Sequence, residues 1–245
     1  MGKKGAMAFW GTAAASYLEQ WSKPGMTLED KLESDTVLAL VKEHIKPGGL
    51  ILDGGCGSGR WGSKLLHEYY LVEVDISEKM LRIAMKMLDC SRCHFVLADV
   101  ENLPFRCGVM DAVVSIRVFQ YLDVPTAFRE LMRILNHGGT FVISLPNRRS
   151  YMRIKQICGL GPKKLYDIHD VMRLGSMWGA TIHDVRTILY LPETLYMRAK
   201  SCSVWVLWNL ELLANIATRG LLGRSLIVYG RRISCSCDGV SSIGW

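Results

Sequence analysis

Short aliphatic and β-branched runs alternate with helical periods along most of this chain. Leu50–Asp53, Tyr70–Asp75, His94–Asp99, Asp111–Ser115 and Thr140–Leu145 read as five strands, with 181–189 and 225–229 as a sixth and seventh. Helical spacing fills the gaps. Thr27-x-x-Asp30 has the form of a capping box opening a helix that runs to Lys46 and stops at Pro47, Gly48 and Gly49. Ser77 caps a helix carrying Met80, Ala84, Met87 and Leu88 on one face. Pro125 starts another, with Ala127, Leu131, Ile134 and Leu135 in line, ended by Gly138 and Gly139. A helical stretch over 167–178 precedes the sixth strand. Strands alternating with helices predict an α/β fold with a mostly parallel sheet covered on both faces. Residues 1–232 are expected to form one domain, with N-terminal helices over 1–47, a helical insert over 191–224 and a loose tail over 233–245.

The segment Asp53-Gly54-Gly55-Cys56-Gly57-Ser58-Gly59 follows the first strand and precedes an expected helix. Glycines there let the backbone turn sharply and approach a ligand, and a helix N-terminus offers N–H groups to an anion. Asp75 ends the second strand, where a carboxylate can accept from both hydroxyls of a ribose. Asp99 ends the third, where it can accept from an adenine amino group. Three adjacent strand ends therefore point to a nucleoside-shaped ligand. A nucleoside triphosphate is disfavoured, because Gly59 is followed by Arg60 and Trp61 rather than Lys and Ser or Thr. Gly57, Gly59 and Gly62 satisfy the dinucleotide spacing formally, but the acid at Asp99 is no part of that fingerprint.

Taken together, Ile51–Gly59, Val74–Ser77, Ala98–Phe105, Met110–Ser115 and Glu130–Gly139 resemble, in order and spacing, the motifs of class I S-adenosylmethionine-dependent methyltransferases. The nearest look is to the small-molecule, quinone-biosynthesis-like branch of type 11. That resemblance implies a Rossmann-like three-layer sandwich with a seven-stranded, mostly parallel sheet whose last strand is antiparallel. It implies S-adenosyl-L-methionine as cofactor. Asp53, Gly54, Gly55, Cys56, Gly57 and Gly59 would wrap its methionine end, Asp75 and Ile76 would hold ribose and adenine, Asp99 and Val100 would read the adenine edge, and Ser115, Ile116 and Arg117 would lie near the sulfonium. Gly54 stands where the family has a larger apolar residue, and Asn136-His137 replaces the usual Lys-Pro.

Acceptor-side candidates come from the loops after strands four and five: Gln120, Tyr121, Asn147 and Tyr151. Arg117 could steady an acidic acceptor or form a surface salt bridge, and His169 reads as a solvated helix position. No general base stands out, and a sulfonium methyl donor does not require a fixed one.

The chain has 245 residues, 49% hydrophobic and 22% charged, which excludes disorder and a small disulfide scaffold. Its 30 Lys and Arg against 23 Asp and Glu leave a net charge of +7, a mild pull toward an anionic partner. Eight cysteines without a secretory signal fit a cytoplasmic, reducing setting. Cys90/Cys93 and Cys235/Cys237 lack matching spacing, so no zinc site is expected. Residues 148–164 carry Arg148, Arg149, Arg153, Lys155, Lys163 and Lys164 with no acid among them. This stretch reads as a solvated face, an anionic acceptor contact, a peripheral membrane contact or, least, an RNA contact, since no RNA-binding module accompanies it. In the insert, Glu211, Asn215 and Thr218 make one polar stripe, while Val204, Trp205, Val206, Leu207 and Trp208 are apolar all round. Such a helix should bury both sides, as a core helix, a dimer contact or a lid over an apolar acceptor. The resembled fold places the chain after strand six on the acceptor half of the sheet, so Trp205 and Trp208 are expected beside the acceptor. The reading that follows is a methyltransferase for a small, apolar or lipid-like acceptor. An RNA methyltransferase and a cofactor-binding scaffold without turnover stay open as alternatives, and the oligomeric state is not legible.

Overall fold

The computed structural model describes residues 10, 12, 17, 19–88, 91–159, 162 and 164–233. Its elements run α1 (Pro24–His44), β1 (Leu50–Gly54), α2 (Gly62–Leu65), β2 (Tyr70–Asp75), α3 (Glu78–Met87), β3 (Cys93–Leu97), β4 (Met110–Ser115), α4 (Val124–Ile134), β5 (Leu135–Pro146), α5 (Met152–Ile157), α6 (Ile168–Met177), β6 (Ala180–Ile188), α7 (Glu193–Arg198), α8 (Val204–Thr218) and β7 (Ser225–Arg232). The sheet has seven strands in the order β3-β2-β1-β4-β5-β7-β6. β1 to β5 pair in parallel, and β7 runs antiparallel to both β5 and β6.

Alternation along the strands feeds two cores. Leu52, Val113, Phe141 and Ile143 face one layer with Phe128 and Leu131 of α4 and Leu174 of α6. Ile51, Ala112, Val114 and Val142 face the other, with Val37, Leu40 and Val41 of α1 and Leu65 of α2. Both faces of the central strands are thus buried, the property that lets a parallel sheet consist of near-continuous apolar runs.

Two local expectations are corrected. α1 begins at Pro24, whose missing N–H suits a first turn, and no side chain caps it. Thr27 lies inside the helix and its hydroxyl donates back to Lys23 O at 3.2 Å. Gly138 and Gly139 do not end a helix. α4 stops at Ile134, Met110 pairs with Leu135 and Ala112 with Thr140, so 136–139 bulge out of a strand already begun, with Gly138 at φ +76°. The helix after the glycine loop, α2, is only four residues long. The Ser77 cap holds, its hydroxyl accepting from Met80 N. The tail residues 234–245 lie outside the described part of the chain.

Candidate active site

The loop after β1 is shaped by glycine where geometry demands it. Gly55 has φ +78°, and a Cβ there would sit 2.4 Å from a Val118 methyl. Gly57 has φ +57°, and this turn aims its N–H at the Asp75 carboxylate, N to Oδ2 2.9 Å. The other Asp75 oxygen accepts from Ser77 N at 2.8 Å. Burial raises the Asp75 pKa, while the Ser77 and Gly57 N–H groups work against that rise. Asp99 is fixed by Glu101 N, 2.9 Å from its Oδ1.

These groups open into a cavity of about 410 Å³. Gly55, Gly57, Asp75, Ile76, Asp99, Val100 and Ile116 line one end. Arg117, Gln120 and Tyr121 lead to the other, which Trp10, Tyr17 and Trp21 cover from the N-terminal side. Tyr121, Trp10, Tyr17 and Trp21 form a ladder of edge-on rings with centroids 5.5, 5.6 and 5.9 Å apart in turn. Burial pushes the Tyr121 phenol upward, so it keeps its proton at neutral pH.

Below the aromatic end lies a buried ion network. Arg117 has φ +66°, a costly conformation for a residue with a Cβ, and it is over-determined. Its N–H donates to Ser144 Oγ at 2.6 Å, its Nε to Glu33 Oε1 at 2.9 Å, and its Nη2 lies 2.5 Å from Glu29 Oε1. Arg224 reaches the same Glu29 oxygen at 2.5 Å. Arg60 pairs with Glu33 and Asp30, each at 2.6 Å. Burial disfavours the Glu33 carboxylate, but Arg117 and Arg60 outweigh it and hold its pKa below the ordinary value. The guanidinium groups of Arg60 and Arg117 sit 4.5 and 4.9 Å from the Trp21 ring centroid, tying the aromatic cover to the network. Arg117 does form salt bridges, but with the fully buried Glu29 and Glu33 and not at the surface, where one was expected.

Behind the glycine loop sits a second pair of acids. Asp53 and Glu73 are register partners on β1 and β2, 1% and 0% exposed. Among the described residues no nitrogen or hydroxyl donor reaches any of their four oxygens. Two bare carboxylates cannot share so dry a place, so the pair holds a proton. Burial, then the neighbouring Glu73, push Asp53 well above the carboxylate range, and burial raises Glu73 to about 7.

Several expected residues stand elsewhere. Asp53, Gly54, Cys56, Gly59 and Ser115 are buried behind the cavity and do not line it; Ser115 donates to Gly54 O at 2.7 Å. Asn147 is 1% exposed and its amide latches Leu221 O and Gly223 O at 3.0 and 2.7 Å. Tyr151 accepts from Glu193 N at 3.3 Å, and it is the next residue, Met152, that meets the cavity. Trp205 and Trp208 are 74% and 39% exposed and do not line the cavity, because Leu207 and Glu211 of α8, not its indoles, face the protein. The insert contributes only its ends, Glu193 and Arg224. In the basic stretch, Arg148 is paired with Asp167 and Asp170, and Lys164 with Asp123. Lys163, Cys90, Cys235 and Cys237 lie outside the described residues. Among the described residues no group of three or more His, Cys, Asp or Glu could hold a metal ion.

The residues that sequence reasoning missed left faint signals. Glu29 and Glu33 stand one turn apart among buried positions of α1, and Glu73 interrupts the buried run of β2. Trp10, Tyr17 and Trp21 carried no pattern pointing to the site.

The cradle fits an adenosine-bearing ligand. Each Asp75 oxygen takes one backbone N–H, which leaves acceptor capacity for a diol, and Asp75, Ile76 and Val100 all line the cavity. Comparison with known proteins agrees. Residues 52–143 match the family described as methyltransferase domain, type 11. A malonyl-[acyl-carrier protein] O-methyltransferase of Herminiimonas arsenicoxydans is 36% identical over 40% of this chain and 37% of its own length. A phosphoethanolamine N-methyltransferase of Triticum aestivum is 28% identical over 58% of this chain and 29% of its own length. The chain thus spans well under half the length of both relatives. A magnesium protoporphyrin IX methyltransferase from Synechocystis PCC 6803, solved with bound S-adenosylhomocysteine, shares the fold at a TM-score of 0.66, with 17% identity over 94% of this chain and 99% of that one. Residues 52–143 therefore belong to the class I S-adenosylmethionine-dependent methyltransferases, in their type 11 branch.

Proposed function

We propose that this protein transfers a methyl group from S-adenosylmethionine to a small acceptor with a flat or apolar body. One observation carries the reading: a single cavity joins the Asp75 carboxylate to the aromatic cover of Trp10, Tyr17, Trp21 and Tyr121. Asp75 would hold the ribose hydroxyls, Asp99 and Val100 the adenine edge, and Gly55 and Gly57 would let the chain approach closely. When bound, the cofactor supplies an electrophilic methyl group on a sulfonium. The protein's task is then alignment and exclusion of water. Ile116 and Arg117 also line the cavity, and the ion pairs of Arg117 hold it in place there. The protonated Tyr121 phenol can donate to a polar atom of the acceptor, while the tryptophans exclude solvent.

Calorimetry with S-adenosylhomocysteine and a methyl-transfer assay over a panel of small apolar acceptors test this. Asp75→Ala removes one or two charge-assisted hydrogen bonds, roughly 1.5–3 kcal/mol, and should weaken binding about ten- to a hundredfold. Trp10→Ala and Tyr121→Ala should lose transfer while keeping cofactor affinity. Unchanged affinity in Asp75→Ala overturns the ribose assignment, and undiminished transfer in the aromatic variants overturns the acceptor seat. Cofactor binding with no transfer to any acceptor returns the scaffold reading.

A further inference from the structure

α8 is inverted relative to an ordinary surface helix. It turns Leu207 and Glu211 to the protein: Leu207 packs with Met26, Leu28 and Tyr196, and Glu211 is 5% exposed and accepts from Tyr190 N and Leu191 N, each at 2.9 Å, and from the Tyr196 hydroxyl. Asn215, one turn on, is exposed and accepts from Tyr190 OH at 3.0 Å at the edge of this contact. Most of its other apolar residues point outward, with Trp205 74%, Ile216 66% and Leu213 59% exposed. An apolar helical face of this kind has no reason to meet water.

The surrounding surface extends the same character. The α7 start meets the loop before α5 through Glu193 N and Tyr151 OH, and Asn147 binds the backbone at Leu221 and Gly223. This joins α5, with Ile154 and Ile157 67% and 78% exposed, to the insert. Arg149, Arg153, Arg198, Lys200 and Arg219 are exposed on these segments, and among the described residues none has a carboxylate partner. From 194 to 222 the one acid is Glu211, turned inward. Met152 and Glu193, at the starts of α5 and α7, line the cavity, so the surface borders its mouth.

We infer that the outer faces of α8 and α5 form a docking surface for an anionic phospholipid membrane. The apolar residues enter the interfacial layer, and the exposed cations meet lipid headgroups. α8 lies on the bilayer rather than crossing it, since no helix among the described residues is long and apolar enough to span one. A second copy of the chain is the poorer occupant, because a symmetric pairing would bring like cations against one another. Docked in this way, the cavity mouth would face the headgroup layer. The inference stands on the surface alone and needs no methyl donor, so it fails or holds independently of the proposed activity.

Vesicle flotation tests it, using phosphatidylcholine with and without phosphatidylglycerol. The protein should float with the anionic vesicles and not with phosphatidylcholine alone, and added salt should release it. Arg198→Gln with Lys200→Gln should weaken binding about tenfold or more. Trp205→Ser with Leu213→Ser and Ile216→Ser should abolish it, with unchanged circular dichroism and S-adenosylhomocysteine affinity, since these side chains are exposed. Absence of flotation, or flotation indifferent to the Arg198 and Lys200 changes, overturns the inference. So does a concentration-dependent dimer in sedimentation that the triple variant dissolves.

Discussion

Glu73→Gln tests the proton held between Asp53 and Glu73. In the folded protein burial raises Glu73 from its ordinary 4.5 to about 7. A carboxyl with a raised folded pKa binds its proton more tightly in the native than in the unfolded chain. Its stabilising contribution is complete below pH 4.5 and is lost as pH rises through about 7. Summed between about pH 5 and about pH 8, that loss is roughly 2–3 kcal/mol. Glutamine keeps the shape, removes this titration and donates an amide N–H to Asp53. It also removes the negative neighbour that helps to hold Asp53 high. Urea denaturation of both proteins across this range should therefore show wild type losing about 2–3 kcal/mol more than the variant. Apart from Asp53, whose own raised titration also falls away in the variant, the titrating groups are common to the two proteins and cancel in the difference. Parallel stability profiles would refute the shared proton and leave the pair as two separately solvated carboxylates. Should Glu73→Gln fail to fold, Asp53→Asn removes the partner and makes the same comparison.

Other outcomes follow from the site. Glu33→Ala leaves Arg117 and Arg60 short of a fully buried partner and should cost about 3–5 kcal/mol in chemical denaturation; a cost under about 1 kcal/mol would show that the network is solvated. Gly55→Ala forces a Cβ into Val118 at a positive φ and should destabilise by about 1–3 kcal/mol while weakening S-adenosylhomocysteine binding; a neutral effect on both would mean that the loop conformation is not the functional one. Trp205→Ser with Trp208→Ser should leave cofactor affinity and thermal midpoint nearly unchanged, and a marked loss of either would put those indoles inside the fold.

What the sequence alone determined is local and periodic. Strand alternation, the glycines after β1, the Ser77 cap and the acids at strand ends are properties of neighbours in the chain, and steric and hydrogen-bond rules act on them directly. They led to the seven strands, the antiparallel last one by resemblance, and the position of Asp75 beside Gly57. Boundaries failed where long-range pairing overrode local signals: β5 begins before Gly138 because β4 pairs with Leu135. Thr27 is not a cap because Pro24 starts α1 first.

Only the tertiary structure decided which distant side chains converge. Glu29 meets Arg224 across 195 residues and Glu33 meets Arg117 across 84, separations at which no spacing rule operates. Asp53 was expected at the ligand, yet the sheet turns it toward Glu73, since the partner of a strand residue is set by register across strands. The orientation of α8 was equally hidden. Its sequence offers an apolar helix with one polar stripe and no rule for which side turns inward. The backbone N–H groups of Tyr190 and Leu191, left over at the end of β6, draw Glu211 to the protein and leave the tryptophans outside.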